Sequence, residues 1–422
     1  MQAQLRPILT LLLLIVPAAA DEGMWLFTHP PKEMLRQKHG FEPGAQWLDH
    51  LQRSSVRFSN GGSGAFVSPQ GLLMTNHHVG LDCIQQVSTP EHDYVRLGFH
   101  AGALAEEKPC PALELNVLMS IEDVTGRVQA AVKKGMSAEE ALKVRRAAIN
   151  QIEKESLDQT GLRSDVVTLY GGAWYHLHRY KKYTDVRLVF APEKAIAFFG
   201  GDPDNFEYPR YNLDITFFRA YEDGKPAQPP GCLRWSRDGA REGDLVFVSG
   251  HPGRTERLRT VEHLKFYRDF VYPFHLNFLR RREVMLRAYS ERSAENARQA
   301  LDELFSFQNS RKARLGMLAG MQDPALMNLK MERERRLRGE VMRSQELKRQ
   351  YGDAWSRIET SLNTHRKIYV EHFLLERGAG FDSGLFSIAR HLVRLAEEKR
   401  KPNAERLREY SEAQLESLKQ EL

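Results

Sequence analysis

Two imidazoles, His77 and His78, close the run Phe66-Val67-Ser68-Pro69-Gln70-Gly71-Leu72-Leu73-Met74-Thr75-Asn76. The run reads as strand, turn, strand, because apolar stretches flank a turn with Pro early and Gly late. A histidine at a strand end, open to a cleft, is placed to take a proton from a nucleophile. Side chains alternate along a strand, so His77 and His78 face opposite ways, and His78 is the better base. A base needs an orienting acceptor. Asp214 is the lone carboxylate in Tyr211-Asn212-Leu213-Asp214-Ile215-Thr216-Phe217-Phe218, which reads as an apolar strand. A carboxylate buried there requires a partner. An Asp that accepts from imidazole Nδ1–H holds the ring in the tautomer a general base needs and stabilises the imidazolium.

Nucleophiles and ligands are harder to find. Gly62-Ser63-Gly64 and Phe381-Asp382-Ser383-Gly384 both look like serine turns. Ser63, however, lies on the strand that leads to His78. Ser383 lacks the small residue and proline that would follow it, and helical sequence begins at once. Neither is expected to attack a substrate. His176 and His178 share one strand face and have the geometry to ligate zinc, but no Cys or carboxylate stands at ligand spacing, so neither a metal nor another cofactor is expected. Three cysteines, Cys83, Cys110 and Cys232, allow one disulfide; Cys83–Cys110 closes the shorter loop, and the pairing stays open.

These residues must be held by something. Val166–Tyr170, Tyr175–Arg179, Val186–Phe190, Leu213–Phe218 and Leu245–Ser249 read as further strands. Residues 122–158 read as a helical insert, opened by the capping box Ser137-Ala138-Glu139-Glu140. Beyond Pro273 the sequence turns Leu/Arg/Glu-rich with helical periodicity. The expected division is therefore a signal segment at 1–20, a β-rich region at 21–272 and an α-helical region at 273–422.

The 422 residues carry 61 Lys and Arg against 55 Asp and Glu, a net charge of +6. From Arg281 onward there are 28 basic and 22 acidic residues, which leaves 33 of each before it. The excess is interleaved, as in Met331–Gly339, and this is the pattern of solvated helix faces, not of a nucleic-acid stripe. No nucleic-acid partner is expected. No apolar run approaches the ~18 residues of a membrane span. Arg6, the apolar stretch Ile8–Val16 and the small residues Pro17-Ala18-Ala19-Ala20 form a signal peptide, so the chain is expected in the periplasm or outside the cell.

The sequence resembles the bacterial dipeptidyl peptidase 7 and 11 family of exported serine exopeptidases. The resemblance rests on Asp21-Glu-Gly-Met-Trp-Leu26, Phe66 to His78, Gly201-Asp-Pro-Asp-Asn-Phe206, Tyr208-Pro-Arg210, Asp214 and Gly250-His-Pro-Gly-Arg-Thr255. It implies a β + α multidomain protein: a chymotrypsin-like β-barrel half followed by a truncated α-helical cap domain. It implies release of dipeptides from peptides with a free N-terminus, with His78 as base and Asp214 as its orienter. Asn205, Phe206 and, from the helical part, Asn309 would grip the substrate's α-amino group. Amide carbonyls accept from an ammonium without a permanent ion pair, and an aromatic wall adds cation–π attraction. The family also leans towards a homodimer. Its nucleophilic serine sits in a Gly-Asn-Ser-Gly-type turn beyond the helical part. That serine is therefore expected to be absent from these 422 residues, leaving the chain inactive by itself. Where the family has a cysteine after the His pair and a partner before the first strand, this sequence has Val79 and Gly62-Ser63. The alternative is a non-catalytic exported peptide-binding or structural protein derived from such a peptidase.

Overall fold

The computed structural model describes residues 23–421 apart from Pro90, Ala112, 200–204, Tyr208, Arg254, Thr255 and Asp382. The signal segment 1–20 and the loop residues Gly201–Asp204 lie outside the described residues, as do Tyr208, Arg254 and Thr255 of the quoted motifs.

Eleven strands form one antiparallel sheet: β1 (Ser55–Phe58), β2 (Ser63–Phe66), β3 (Leu72–Thr75), β4 (Phe99–His100), β5 (Lys108–Pro109), β6 (Leu115–Asp123), β7 (Arg163–Leu169), β8 (Trp174–Tyr183), β9 (Asp185–Ala191), β10 (Thr216–Glu222) and β11 (Lys225–Pro226). Their order is β4-β9-β10-β3-β2-β1-β6-β8-β7, with β5 on β9 and β11 on β10. The expected barrel is not closed among the described residues, since β4 and β7 end the path without pairing with each other. At β7 a helix replaces the next strand. Glu153, on the helix Ala138–Thr160, accepts from the backbone N–H of Val166 at 2.6 Å. That side chain satisfies an edge donor which would otherwise invite another strand.

Two apolar clusters sit on this sheet. One gathers Phe66, Leu73, Ile84, Leu188 and Phe218, among others. The other gathers Val124, Val128, Ile152, Val166 and Leu177 under the helical insert. The insert starts as read, with Ser137 and Glu140 forming a reciprocal capping box. Cys83 and Cys110 are joined in a disulfide and Cys232 is a free thiol. A Cβ on Gly62 would lie 2.7 Å from Val79 Cγ2, so glycine there makes room for valine.

Two sequence expectations need correction. Leu245–Ser249 has no strand partner among the described residues, and Val248 is fully exposed. Its β-branched residues suit a sheet, but a strand exists only when something pairs with it. Helix also begins at Val261, ahead of Pro273. A π-helical turn, Tyr267–Val271, precedes the proline, and such a wide turn accommodates a residue without an N–H inside a continuing helix.

The helical part comprises Val261–Phe266, Tyr272–Ser290, Ala294–Gln322, Pro324–Arg343, Gln345–Tyr351, Ala354–Glu371 and Gly384–Glu398. The chain then returns to the sheet. Asn150 donates to the carbonyls of Asn403 and Arg406 at 3.1 and 3.0 Å, Arg408 pairs with buried Glu153 at 2.5 Å, and Gln414 donates to Asp165 at 2.9 Å. No helix among the described residues is long and apolar enough to cross a membrane.

Candidate active site

The register of β3 against β10 builds the first half of the site. Thr75 pairs with Thr216, so the residues just after β3 lie beside those just before β10. His78 is not at a strand end. The strand stops at Thr75 and a helix, His77–Gln86, starts at once, with His78 in its first turn. Gly80 lets that helix lie against β10, since a Cβ there would come 2.9 Å from Phe218 Cζ. Asp214 is likewise not inside the strand. It sits on irregular backbone ahead of β10, fastened by the Leu213 N–H to Ile196 O bond at 2.8 Å.

The two side chains meet. His78 Nδ1 lies 2.7 Å from Asp214 Oδ2, and the His78 backbone N–H donates to Asp214 Oδ1 at 3.0 Å. Asn76 Nδ2 donates to the same carboxylate at 3.1 Å. Burial raises the Asp214 pKa, but the hydrogen bonds from His78 outweigh it and hold the carboxyl below its usual value. An ionised carboxylate only accepts, so Nδ1 of the neutral ring carries the proton and Nε2 keeps its lone pair. The His78 side chain is 40% exposed. His77 turns inward and is buried, and desolvation lowers its pKa.

The second half of the site involves a helix. Asn205 is fully buried and donates through Nδ2 to Asn309 Oδ1 at 2.7 Å. Asn309 lies on the helix Ala294–Gln322, which also places Phe305 edge-on against Phe198 at 4.8 Å and Lys312 within 3.4 Å of Glu207. Phe206 sits at φ 64° and is 57% exposed, presenting its ring to solvent next to Asn205. Two residues that were given no role in the sequence reading link the halves. Phe199 stacks on His78 with centroids 4.6 Å apart, and Arg210 lies over the Phe199 ring at 5.1 Å while donating to Asn205 Oδ1 at 3.3 Å. The adjacent Phe198-Phe199 pair and the quoted Pro209-Arg210 were the signals available for them.

The other singled-out residues are occupied elsewhere. Ser383 caps the helix Gly384–Glu398, its Oγ accepting from Phe386 N–H at 3.3 Å. Ser63 Oγ accepts from the His251 backbone N–H at 2.7 Å. His178 Nδ1 lies 3.2 Å from the Tyr180 hydroxyl, while His176 packs against Trp174. Among the described residues no three His, Cys, Asp or Glu are grouped to hold a metal.

The peptidase S46 family model matches residues 20–422. The chain belongs to the peptidase S46 family. It is 30% identical to an Asp/Glu-specific dipeptidyl-peptidase of Shewanella putrefaciens over 96% of this chain and 57% of that protein. It is 36% identical to a dipeptidyl-peptidase 7 of Porphyromonas endodontalis over 58% of this chain and 32% of that protein. The crystal structure of Porphyromonas endodontalis DPP11 in complex with the dipeptide Arg-Glu matches with a TM-score of 0.71 at 25% identity, over 95% of this chain and 60% of that one. The chain thus spans no more than about three fifths of the length of these relatives.

Proposed function

We propose that this S46 chain carries the base and the amine-binding part of a serine-type dipeptidyl peptidase. The observation that carries the reading is the 2.7 Å contact between His78 Nδ1 and Asp214 Oδ2, which leaves Nε2 as a proton acceptor. In that role His78 takes the proton of an attacking hydroxyl and returns it to the leaving amine, and Asp214 stabilises the imidazolium formed in between. Asn205 and Asn309 receive the free α-amino group of a peptide, with Phe206 as an aromatic wall. An exopeptidase needs such a stop, because gripping the terminus fixes how many residues reach the base.

The nucleophile forms part of the proposal: it is not among these 422 residues. Ser383 is a helix cap and Ser63 is tied to His251, so each hydroxyl that resembles a nucleophile already has a structural task. The natural setting proposed is the periplasm or cell exterior, reached through the signal segment 1–20, and the Cys83–Cys110 bridge suits such an oxidising compartment.

The test expresses the chain and offers it chromogenic dipeptides with free and with blocked N-termini. The expected outcome is no serine-type turnover, together with binding of the free-amine forms that Asn205→Ala and Asn309→Ala each abolish. Turnover that disappears in His78→Ala would put the nucleophile inside the chain. Equal binding of free and blocked peptides would remove the amine site and favour a non-peptidase role.

A further inference from the structure

Arg210 touches both halves of the site. Its Nη1 donates to Asn205 Oδ1 at 3.3 Å and its Nη2 to the Phe198 carbonyl at 3.1 Å. Its guanidinium lies 5.1 Å from the centroid of Phe199, and the Phe199 ring in turn stacks on His78 at an interplanar angle of 21°. The Phe198 carbonyl is shared, since Asn212 Nδ2 donates to it at 2.8 Å. An arginine can meet a carbonyl, an amide oxygen and a ring face together because its donors form a planar fork; a lysine has only a point charge.

We propose that Arg210 is a positioning residue that fixes the polarity of the amine-binding amides and braces the base with the same guanidinium. This rests on the reading of Asn205 and Asn309 as the amine site. The two ends of an asparagine amide have nearly the same shape and opposite hydrogen-bonding character. A substrate ammonium only donates, so an amide that turns its NH₂ towards the ligand repels it. Arginine has no acceptor, so the atom of Asn205 that faces Arg210 is Oδ1. Nδ2 then faces Asn309, and the Asn309 atom that receives it is Oδ1, as observed at 2.7 Å. The relay Arg210 → Asn205 → Asn309 therefore runs in one direction. It commits the Asn205 NH₂ to Asn309 and leaves the oxygen of the partly exposed Asn309 a second lone pair for the ligand. Through the Phe199 ring, Arg210 also backs the face on which His78 rests, which couples the grip on the terminus to the orientation of the base.

The experiment compares the 422-residue chain with Arg210→Met, Arg210→Lys and Asn205→Ala. One readout is the affinity for alanyl-alanine amide against its N-acetyl form by NMR titration. The other is the Cε1–Hε1 signal of His78, which reports the Phe199 ring current. In Arg210→Met the preference for the free amine is expected to fall at least tenfold and the His78 signal to move, with thermal melting close to that of the parent. Arg210→Lys, which keeps the charge but lacks the planar fork, is expected to fall between, and it carries the test if the Met variant does not fold. Asn205→Ala is expected to lose the preference while leaving the His78 signal in place. A purely structural role for Arg210 would lower melting without changing the free-to-acetylated ratio. If Arg210→Met keeps that ratio within twofold while Asn205→Ala loses it, the proposal for Arg210 fails and the amine site stands. If the parent chain shows no preference for the free amine, the amine site fails and the proposal falls with it.

Discussion

The sheet region and the helical region hold themselves together in different ways. The sheet buries two apolar clusters whose central members, Val56, Phe66, Leu73, Leu115, Val128, Val166, Leu188 and Phe218, have no exposed surface beyond 1%. The helices bury scattered residues, Val261, Leu279, Met327 and Val341, while Val284, Met285, Leu326, Leu337, Leu385 and Leu392 stay more than half exposed. Aromatic rings supply their cohesion. Phe266, Phe270, Phe274 and Phe278 recur one helical turn apart and meet Tyr369 and Phe373 on the facing segment, with His275 donating to or accepting from Tyr369 at 2.8 Å. His78 and Asp214 thus stand on a close-packed platform, and Asn309 stands on a helix that meets the platform through Asn205, Phe198 and Glu207 among the described residues.

Acid should strike the platform hardest. His178 and His251 are half-buried there beside Arg57, and desolvation pushes the pKa of each down to about 4. An unfolded histidine titrates near 6.5, so between that pH and 4 the unfolded chain binds protons that the folded chain refuses. The stabilisation is complete above about pH 6.5 and drains away as pH falls towards 4, by roughly 3 kcal/mol for each ring. Denaturant melts at pH 7 and pH 4.5 should show the loss, and His251→Asn should flatten the pH dependence of strand protection in hydrogen exchange. A profile unchanged by that substitution would mean the ring is already open to water.

Core truncation gives the next largest effect and the most direct comparison. Phe218→Ala should cost about 3–5 kcal/mol, the range for a large ring removed from a packed core. Leu279→Ala in the helices should cost about 2 kcal/mol, the low end for its type, because the single layer around it can close in. Equal costs would break the contrast between the regions. Removing the Cys83–Cys110 bridge, which spans 27 residues, should destabilise the sheet by about 3 kcal/mol through the entropy of the unfolded chain. Hydrogen exchange in the helix Ala294–Gln322 should not respond.

The strands β7, β8 and β9, the capping box at Ser137 and the meeting of His78 with Asp214 were all legible, because each depends on local pattern or on a charge that needs a partner. What escaped depends on neighbours far along the chain. Leu245–Ser249 has strand chemistry and no strand beside it. His78 was read at a strand end, but Asn76 breaks the strand and a helix follows. Open topology was hidden because the group that covers the β7 edge is Glu153, a helix carboxylate, not another strand. The return of the chain end to the sheet was hidden too, since Asn150, Arg408 and Gln414 read as ordinary polar surface. Arg210 was visible in a motif, but its task depends on two amides and a ring that only the fold assembles.

The smallest expected effect compares one helix cap from each region. Ser137 in the platform accepts from Glu140 N–H at 3.2 Å and is answered by Glu140 on its own backbone at 2.8 Å, whereas Ser383 in the helices accepts from Phe386 alone. Losing a serine cap costs about 1 kcal/mol, and the reciprocal box at Ser137 should place its loss above that of Ser383. Glu153, which holds the Val166 edge bond, lies well inside the helix Ala138–Thr160, so Ser137→Ala should lower protection in the first turn of that helix and leave β7 as it was. Ser383→Ala should loosen only the first turn of Gly384–Glu398, leaving the sheet untouched. The same variant examines the chemistry. A cap has no part in acyl transfer, so Ser383→Ala should leave peptide binding and any turnover as they were. A change in turnover greater than the change in stability would make Ser383 a reacting group and undo the assignment of its hydroxyl to the helix.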